Sequence, residues 1–179
     1  LHASLAPSEM CIRDSLMAIN ISSRQLESWG FKENLMNTLR TYSVPACAIE
    51  LEITEGAALN HTHEQMELIL ALRAEGFRIA IDDFGTGYSS LSQLSSLPAS
   101  TLKIDRAFVS KVLPTSAEEP VIEAIIALGH SLNLEIVAEG VENEAQRDFL
   151  KSLGCEVAQG FLYSKPLEPE QFRELLRAL

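Results

Sequence analysis

The chain has 179 residues, of which 46% are hydrophobic and 22% are charged, a composition that excludes the disordered and fibrous classes. Its net charge of −11 repels polyanions, which argues against a nucleic-acid polymer as a partner. Apolar runs fall short of the ~20 residues that a membrane-spanning helix needs, so we expect no membrane contact from this segment. Three cysteines without paired or metal-type spacing fit a reducing, cytoplasmic location.

The first part of the chain, residues 1–15, shows neither helical nor alternating apolar periodicity. It also has no apolar core of the kind that a secretory signal contains. We therefore predict that residues 1–15 form a non-native or disordered tail and that the folded domain begins at Leu16.

From Leu16 onward, short apolar runs alternate six times with longer amphipathic stretches. The predicted strands are Leu16–Ser22, Cys47–Thr54, Phe77–Asp82, Thr101–Asp105, Leu134–Ala138 and Glu156–Phe161. The predicted helices are Ser23–Tyr42, His61–Glu75, Ser89–Ser96, Glu118–Leu132, Asn143–Leu153 and Glu168–Leu179. Ser22 and Asn143 are suitable N-caps, and Gly76 and Gly154 lie where a helix would end.

Strands that are joined by helical crossovers run parallel, so the alternation predicts an α/β fold. Six units fit either an open doubly wound sheet or most of an eight-unit barrel, and periodicity does not separate the two. The placement of polar residues favours the barrel. They follow the apolar runs toward the carboxyl ends of the strands, at Asn20, Glu52, Glu55, Asp82, Asp83, Lys103, Asp105, Glu139, Glu142 and Gln159.

In a barrel, the carboxyl ends of the strands surround one mouth, where these side chains would converge. Several carboxylates in one pocket repel each other, and a divalent cation is the usual way to offset that cost. Oxygen ligands without His or Cys indicate Mg²⁺, Mn²⁺ or Ca²⁺. The adjacent Asp82 and Asp83 can face one site only where the strand is already turning into its loop.

Simpler explanations exist for individual residues. A strand-end Asp before a glycine can be a turn or a helix cap, and Lys103 can be a structural ion-pair partner of Asp105. A short glycine loop at Gly85–Gly87 can cradle a phosphate, but this is weak evidence alone, and a mobile connecting loop is the favoured explanation. Trp29 and Phe31 are expected to pack on the outside of the barrel.

The strings INIS, ELEITE, IDDFGTGYSSL, LKIDRAFV, IVAEGVE and QGFLYSKPL, in this order, resemble the EAL domain of cyclic-di-GMP phosphodiesterases. The resemblance runs from about Leu16 to the C-terminus. It implies a TIM-like (β/α)8 barrel, two Mg²⁺ or Mn²⁺ ions at its mouth, and hydrolysis of cyclic di-GMP to linear pGpG. A sugar or phosphate enzyme on an ordinary barrel would leave the DFGTGYSSL string unexplained.

Family roles are carried over motif by motif. The resemblance implies five metal ligands, which are Asn20, Glu52, Asp82, Asp83 and Glu139. Lys103 would be a catalytic partner of the attacking water, together with Glu52, Asp82 and Glu139. The residues that would support the substrate or a loop are Glu55, Asp105, Glu142 and Gln159. The segment Phe84–Leu94 resembles the dimer contact of the family.

The Glu-Ala-Leu motif that names the family is absent, so residues 16–179 are interpreted as the C-terminal three-quarters of an EAL domain, an incomplete barrel of about six units. On this interpretation the fragment alone is inactive. Activity belongs to a parent protein with sensor or GGDEF domains and a possible membrane anchor. The alternative is a degenerate domain that binds cyclic di-GMP or a protein without catalysis.

Overall fold

A computed structural model describes residues 16–59, 62–85, 91–112 and 119–178, and it contains one sheet of six parallel strands in sequential order. The strands are β1 (Met17–Asn20), β2 (Ile49–Thr54), β3 (Arg78–Phe84), β4 (Thr101–Ile104), β5 (Glu135–Glu139) and β6 (Val157–Gln159). From β2 onward, each strand pairs with the strand before it in the sequence. Successive right-handed crossovers produce this order. The predicted α/β class, an incomplete TIM-like barrel, is confirmed.

Helices connect the strands. They are α1 (Ser23–Leu26), α2 (Phe31–Thr41), α3 (Glu55–Leu59), α4 (His63–Ala74), α5 (Leu91–Ser96), α6 (Arg106–Val109), α7 (Glu119–Ser131), α8 (Glu144–Ser152) and α9 (Pro169–Ala178). Ala46–Ala48 form a 3-10 turn before β2. Among the described residues, every helix is too short or too polar to cross a lipid bilayer. The predicted tail, residues 1–15, lies outside the described residues.

The core lies between the sheet and the helices. Strand residues alternate in direction, so that Leu51 and Ile53 of β2 pack with the helices while Glu50 and Glu52 point to the other side. The β-branched and leucine side chains that made the strands recognisable are the ones buried here. Polar side chains occupy the opposite face, which is the interior of the barrel.

One predicted helix is interrupted. The prediction of a single helix over Ser23–Tyr42 is wrong, because the chain leaves the helical conformation between α1 and α2, where Gly30 has φ = 78°. Trp29 lies at this break and is 98% exposed, so its predicted packing on the barrel is also wrong. Phe31 does pack against the core, as expected.

Two short helices, α3 and α6, follow β2 and β4 and were not predicted. The predicted caps are present. Ser22 and Asn143 each accept a hydrogen bond from the third residue of the following helix. Gly76 and Gly154 end α4 and α8 with φ = 102° and 86°.

Candidate active site

The ammonium group of Lys103 lies at the centre of the carboxyl ends of four strands. Its Nζ forms ion pairs with Glu52 of β2, with Glu139 of β5 at 2.5 Å and with Asp82 of β3 at 3.3 Å. The side chain is 4% exposed. The alternative interpretation, in which Lys103 pairs with Asp105, is not what the structure shows, because Lys103 points toward the strands on both sides.

Lys103 remains protonated in this setting. Burial alone would lower the pKa of its ammonium group, but hydrogen bonds to Glu139 and Glu52, with the charges of both, raise the pKa above its ordinary value of 10.5. An ammonium group has three donors and no acceptor, so Lys103 can donate hydrogen bonds here but cannot act as a base.

Asp82 and Asp83 face the same site although they are adjacent in sequence. The register between β3 and β4 shifts between Ile81 and Phe84, and Asp83 has φ = 55°. This bulge redirects one side chain of the pair. The turn that we expected after the strand therefore lies within β3, and its effect on the two aspartates is the expected one.

The carboxylates form a cluster that suits a cation. One oxygen from each of Asp82, Asp83 and Glu139 lies within 4.8 Å of the others. Among the described residues, the buried Oδ1 of Asp82 accepts no hydrogen bond, although Lys103 Nζ is 3.3 Å away. A buried oxygen without a hydrogen bond costs free energy of folding. A metal ion bound to Asp82 Oδ1 would offset that cost.

Crowding is visible in the pKa values of two carboxyl groups. Burial, followed by the charges of Asp82 and Asp105, raises the pKa of Asp83. Burial also raises the pKa of Glu139, and the charges of Asp82 and Glu52 add to the effect against the opposing pull of Lys103. The site thus has an excess of negative charge, which a divalent cation would relieve.

The other predicted site residues lie around this cluster. Asn20 and Gln159 occupy the neighbouring strands, in register with Glu52 and Glu139 respectively, and both are exposed. Asp105 caps α6, with its Oδ1 accepting from Ala107 N at 2.7 Å, and its negative charge helps to raise the pKa of Asp83.

Glu55 and Glu142 are not among the carboxylates that pair with Lys103. Glu55 is 3% exposed and accepts a hydrogen bond from Gly85 N at 2.8 Å, which fixes the start of the loop after β3. Residues 86–90 of that loop lie outside the described residues. Glu142 is exposed and paired with Arg106 at 2.9 Å, so the structure does not bring it into the Lys103 cluster.

A pocket of about 170 Å³ adjoins the cluster on the side of β5 and β6. It is lined by Arg106, Glu139, Gly140, Glu142, Gln159, Gly160 and Phe161. Arg106 and the buried Gln146 were not among the predicted site residues. For Gln146 a signal was present, because it stands three residues after the N-cap Asn143, the spacing of a capping box.

Comparison with known proteins gives the following relatives. The profile of the family described as "EAL domain" matches residues 2–166. Signaling protein YkoW of Bacillus subtilis is 42% identical over 163 residues, 91% of this chain and 20% of YkoW. The bifunctional diguanylate cyclase/cyclic di-GMP phosphodiesterase MucR of Pseudomonas aeruginosa is 45% identical over 155 residues, 87% of this chain and 23% of MucR.

Solved structures are similar as well. The MucR phosphodiesterase in complex with c-di-GMP has a TM-score of 0.83 at 44% identity, covering 88% of this chain and 64% of that one. Klebsiella pneumoniae BlrP1 in its manganese/cyclic-di-GMP complex has a TM-score of 0.79 at 28% identity, covering 89% and 41%. The chain spans about a fifth of the length of the curated relatives named above.

Proposed function

Because the chain belongs to the EAL domain family, we propose that it supplies the catalytic groups of a cyclic-di-GMP phosphodiesterase, which hydrolyses one ester bond to give linear pGpG. One observation supports this most strongly. Carboxylates from β2, β3 and β5 surround Lys103 of β4 at the mouth of the barrel, and they include a buried oxygen that lacks a hydrogen bond. MucR is named as a cyclic di-GMP phosphodiesterase, and its solved structure is a complex with c-di-GMP, which agrees with this proposal.

The carboxylates fit a hard divalent cation, and we assign two Mg²⁺ or Mn²⁺ ions to this site. One carboxylate oxygen from each of Asp82, Asp83 and Glu139 lies within 4.8 Å of the others. Glu52 is joined to this cluster by its ion pair with Lys103. With Asn20 at the neighbouring strand end, they make a set of oxygen donors of the kind that hard cations prefer. Cations bound there would neutralise the phosphodiester and make an attacking water more acidic.

Lys103 acts as a fixed positive donor in this proposal. It would donate a hydrogen bond to the attacking water or to a phosphate oxygen, and it would balance part of the charge of Glu52, Asp82 and Glu139. The water attacks phosphorus, the bond from phosphorus to the 3′ oxygen breaks, and a proton passes to that oxygen. The product keeps its phosphate on the 5′ side.

The surrounding residues support the site. We assign Glu55 to holding the loop after β3, because its carboxylate accepts from Gly85 N at the loop's first turn. We assign Asp105 to starting α6 directly after β4, because it caps that helix, and to the negative charge around Asp83. Gln159 and Glu142 line the adjoining pocket, which lies beside Glu139, where a nucleotide bound at the cluster would extend.

The assembly is also a proposal. The small share of YkoW and MucR that the chain covers supports a longer parent protein with sensor or GGDEF domains. The resemblance of Phe84–Leu94 to the family's dimer contact supports a homodimer. The link from Glu55 to Gly85 would connect that contact to the site.

Product analysis tests the proposal. The intact protein is incubated with cyclic di-GMP and Mg²⁺ or Mn²⁺, and pGpG is separated by chromatography. Asp82→Asn should lower turnover by about 100-fold or more, because it removes the charge of a central ligand. Asp148→Asn, which alters an exposed aspartate paired with Arg147, should leave turnover unchanged.

Full turnover by the Asp82→Asn protein would contradict the metal assignment. Tight binding of cyclic di-GMP by the wild-type protein without release of pGpG would instead favour the receptor alternative.

A further inference from the structure

Three helices of the described chain begin with the same device. In each, a Ser, Thr or Asn at the N-cap is followed three residues later by a glutamine whose side chain returns to the N-cap backbone. The glutamines are Gln25 in α1, Gln65 in α4 and Gln146 in α8. The shared geometry allows the three to be compared, and Gln146 makes contacts beyond those of a cap.

Gln146 is 5% exposed and connects two loops at the mouth of the barrel. Its Oε1 accepts from Asn143 N at 3.3 Å, as a capping box requires, and from Glu142 N at a shorter distance of 2.8 Å. Its Nε2 donates to the backbone carbonyl of Val109 at 3.2 Å. Val109 ends α6, the helix that follows β4. One side chain therefore joins the loop after β5 to the loop after β4.

These two loops follow the strands that hold Glu139 and Lys103. Gly140, directly after Glu139, has φ = 68°, and the stem of Arg106 in α6 fills the space that a Cβ at residue 140 would occupy. Arg106 is also paired with Glu142 at 2.9 Å. The segment after Glu139 is thus held against α6 by a buried hydrogen bond on one side and by Arg106 on the other.

We propose that Gln146 is a positioning residue, which holds the loop after β5 against α6 and so fixes the Glu139 carboxylate next to Lys103. This inference rests on the proposed function. Outer groups that orient a ligand often affect metal affinity or activity by about 10- to 100-fold without touching the metal. Gln146 also completes the capping box at the N-terminus of α8.

Replacement of Gln146 by Glu separates the two roles. A glutamate is a good third residue of a capping box and keeps the acceptor for the Glu142 and Asn143 N–H groups. The new carboxyl group loses its donor for the Val109 carbonyl when it ionises, and because burial opposes ionisation the variant is assayed at alkaline pH. Gln65→Glu is the matched control, because Gln65 is 8% exposed and caps α4 in the same way, with Oε1 accepting from Thr62 N at 2.7 Å. It also loses a donor contact, from Nε2 to Glu27 Oε1 at 3.5 Å, which does not involve the loops after β4 and β5.

Turnover of cyclic di-GMP, Mn²⁺ affinity by calorimetric titration and melting temperature are measured for the intact wild-type and variant proteins. Gln146→Glu should lower kcat and weaken Mn²⁺ binding, each by about 10- to 100-fold, with KM unchanged. Gln65→Glu should match the wild type in both, and a cooperative melting transition in each variant shows that it is folded. If Gln146→Glu matched Gln65→Glu in kcat and Mn²⁺ affinity, the positioning role would be excluded.

The Mn²⁺ titration keeps the two proposals distinguishable. A wild-type protein that binds Mn²⁺ without releasing pGpG would contradict the proposed function, and the loss of Mn²⁺ affinity in Gln146→Glu would still test the positioning role. If that variant fails to fold, Gln146→Asn shortens the side chain so that it cannot span from the Val109 carbonyl to the N–H groups of Glu142 and Asn143. It should lower kcat and Mn²⁺ affinity, and wild-type values would overturn the inference.

Discussion

Lys103 lies among three carboxylates, from Glu52, Asp82 and Glu139, with 4% of its side chain exposed. Desolvating an ammonium group is costly, and only close partners offset that cost in a protein interior. Here the partners also keep the pKa of Lys103 raised. The residue therefore has two effects, which are to hold the carboxylates together and to donate hydrogen bonds toward the mouth of the barrel.

Replacing Lys103 with Met tests both effects, because Met has a similar length and no charge. We expect kcat to fall by about 100- to 1,000-fold, the usual effect of losing one aligned donor. The metal-free variant should also melt at a lower temperature than the wild type, since its three carboxylates would repel each other without compensation.

Added Mn²⁺ should narrow the difference in melting temperature, because a cation would replace the lost charge. Turnover and thermal unfolding with and without Mn²⁺ are the measurements. A Lys103→Met protein with normal turnover would show that Lys103 is only a structural partner.

At the scale of elements, the strands could be predicted well and some of the helices could not. Apolar residues at every second position mark the strands in the sequence itself, as Ile49, Leu51 and Ile53 do in β2 and Leu102 and Ile104 do in β4. The break at Gly30 depends on a backbone conformation that a periodic pattern does not report. Helices of four or five residues, such as α3 and α6, are too short to produce a helical period.

The carboxylates of the site could be predicted from the sequence, whereas the residues that act through tertiary contacts could not. Strand-end carboxylates were visible as exceptions in apolar runs, and their convergence followed from parallel topology. The pairing of Lys103 was not determined by sequence, since Asp105 is nearer along the chain but its carboxylate caps α6. Gln146 and Arg106 act through tertiary contacts, which a single sequence does not display.

An ion pair joins two of the outer helices. Lys32 of α2 is 2.8 Å from Glu75 at the end of α4, and a hydrogen bond from Lys32, with its charge, lowers the pKa of Glu75 below the ordinary value of 4.5. A lowered carboxyl pKa stabilises the fold above 4.5, and the stabilisation is lost as the pH falls through the lowered value.

Glu75→Gln should therefore lower the melting temperature at neutral pH by about 1 °C, as expected for an exposed pair. The difference should disappear in acid, once Glu75 of the wild type is protonated. Lys32→Met should give the same loss, and the double variant should lose no more. A difference in melting temperature that persists in acid would show that Glu75 contributes through something other than its charge.

At the scale of the whole molecule, two polar layers occupy the face of the sheet away from the helices. At the amino ends of the strands, Arg78 pairs with Glu50 and Glu135 and donates to Thr101 Oγ1 at 3.0 Å. At the carboxyl ends of the same four strands lies the Lys103 cluster. The Arg78 layer joins neighbouring strands by hydrogen bonds and fixes their register. The Lys103 cluster has the excess negative charge on which a cation site depends.

The central claim is that side chains from separate strands form one site for divalent cations. Calorimetric titration of the metal-free intact protein with Mn²⁺, in the presence of a non-hydrolysable cyclic-di-GMP analogue, tests it most directly. We predict two ions per site for the wild type, and weaker binding by about tenfold or more for Asp82→Asn. Binding that is absent in the wild type, or equal in both proteins, would contradict the account.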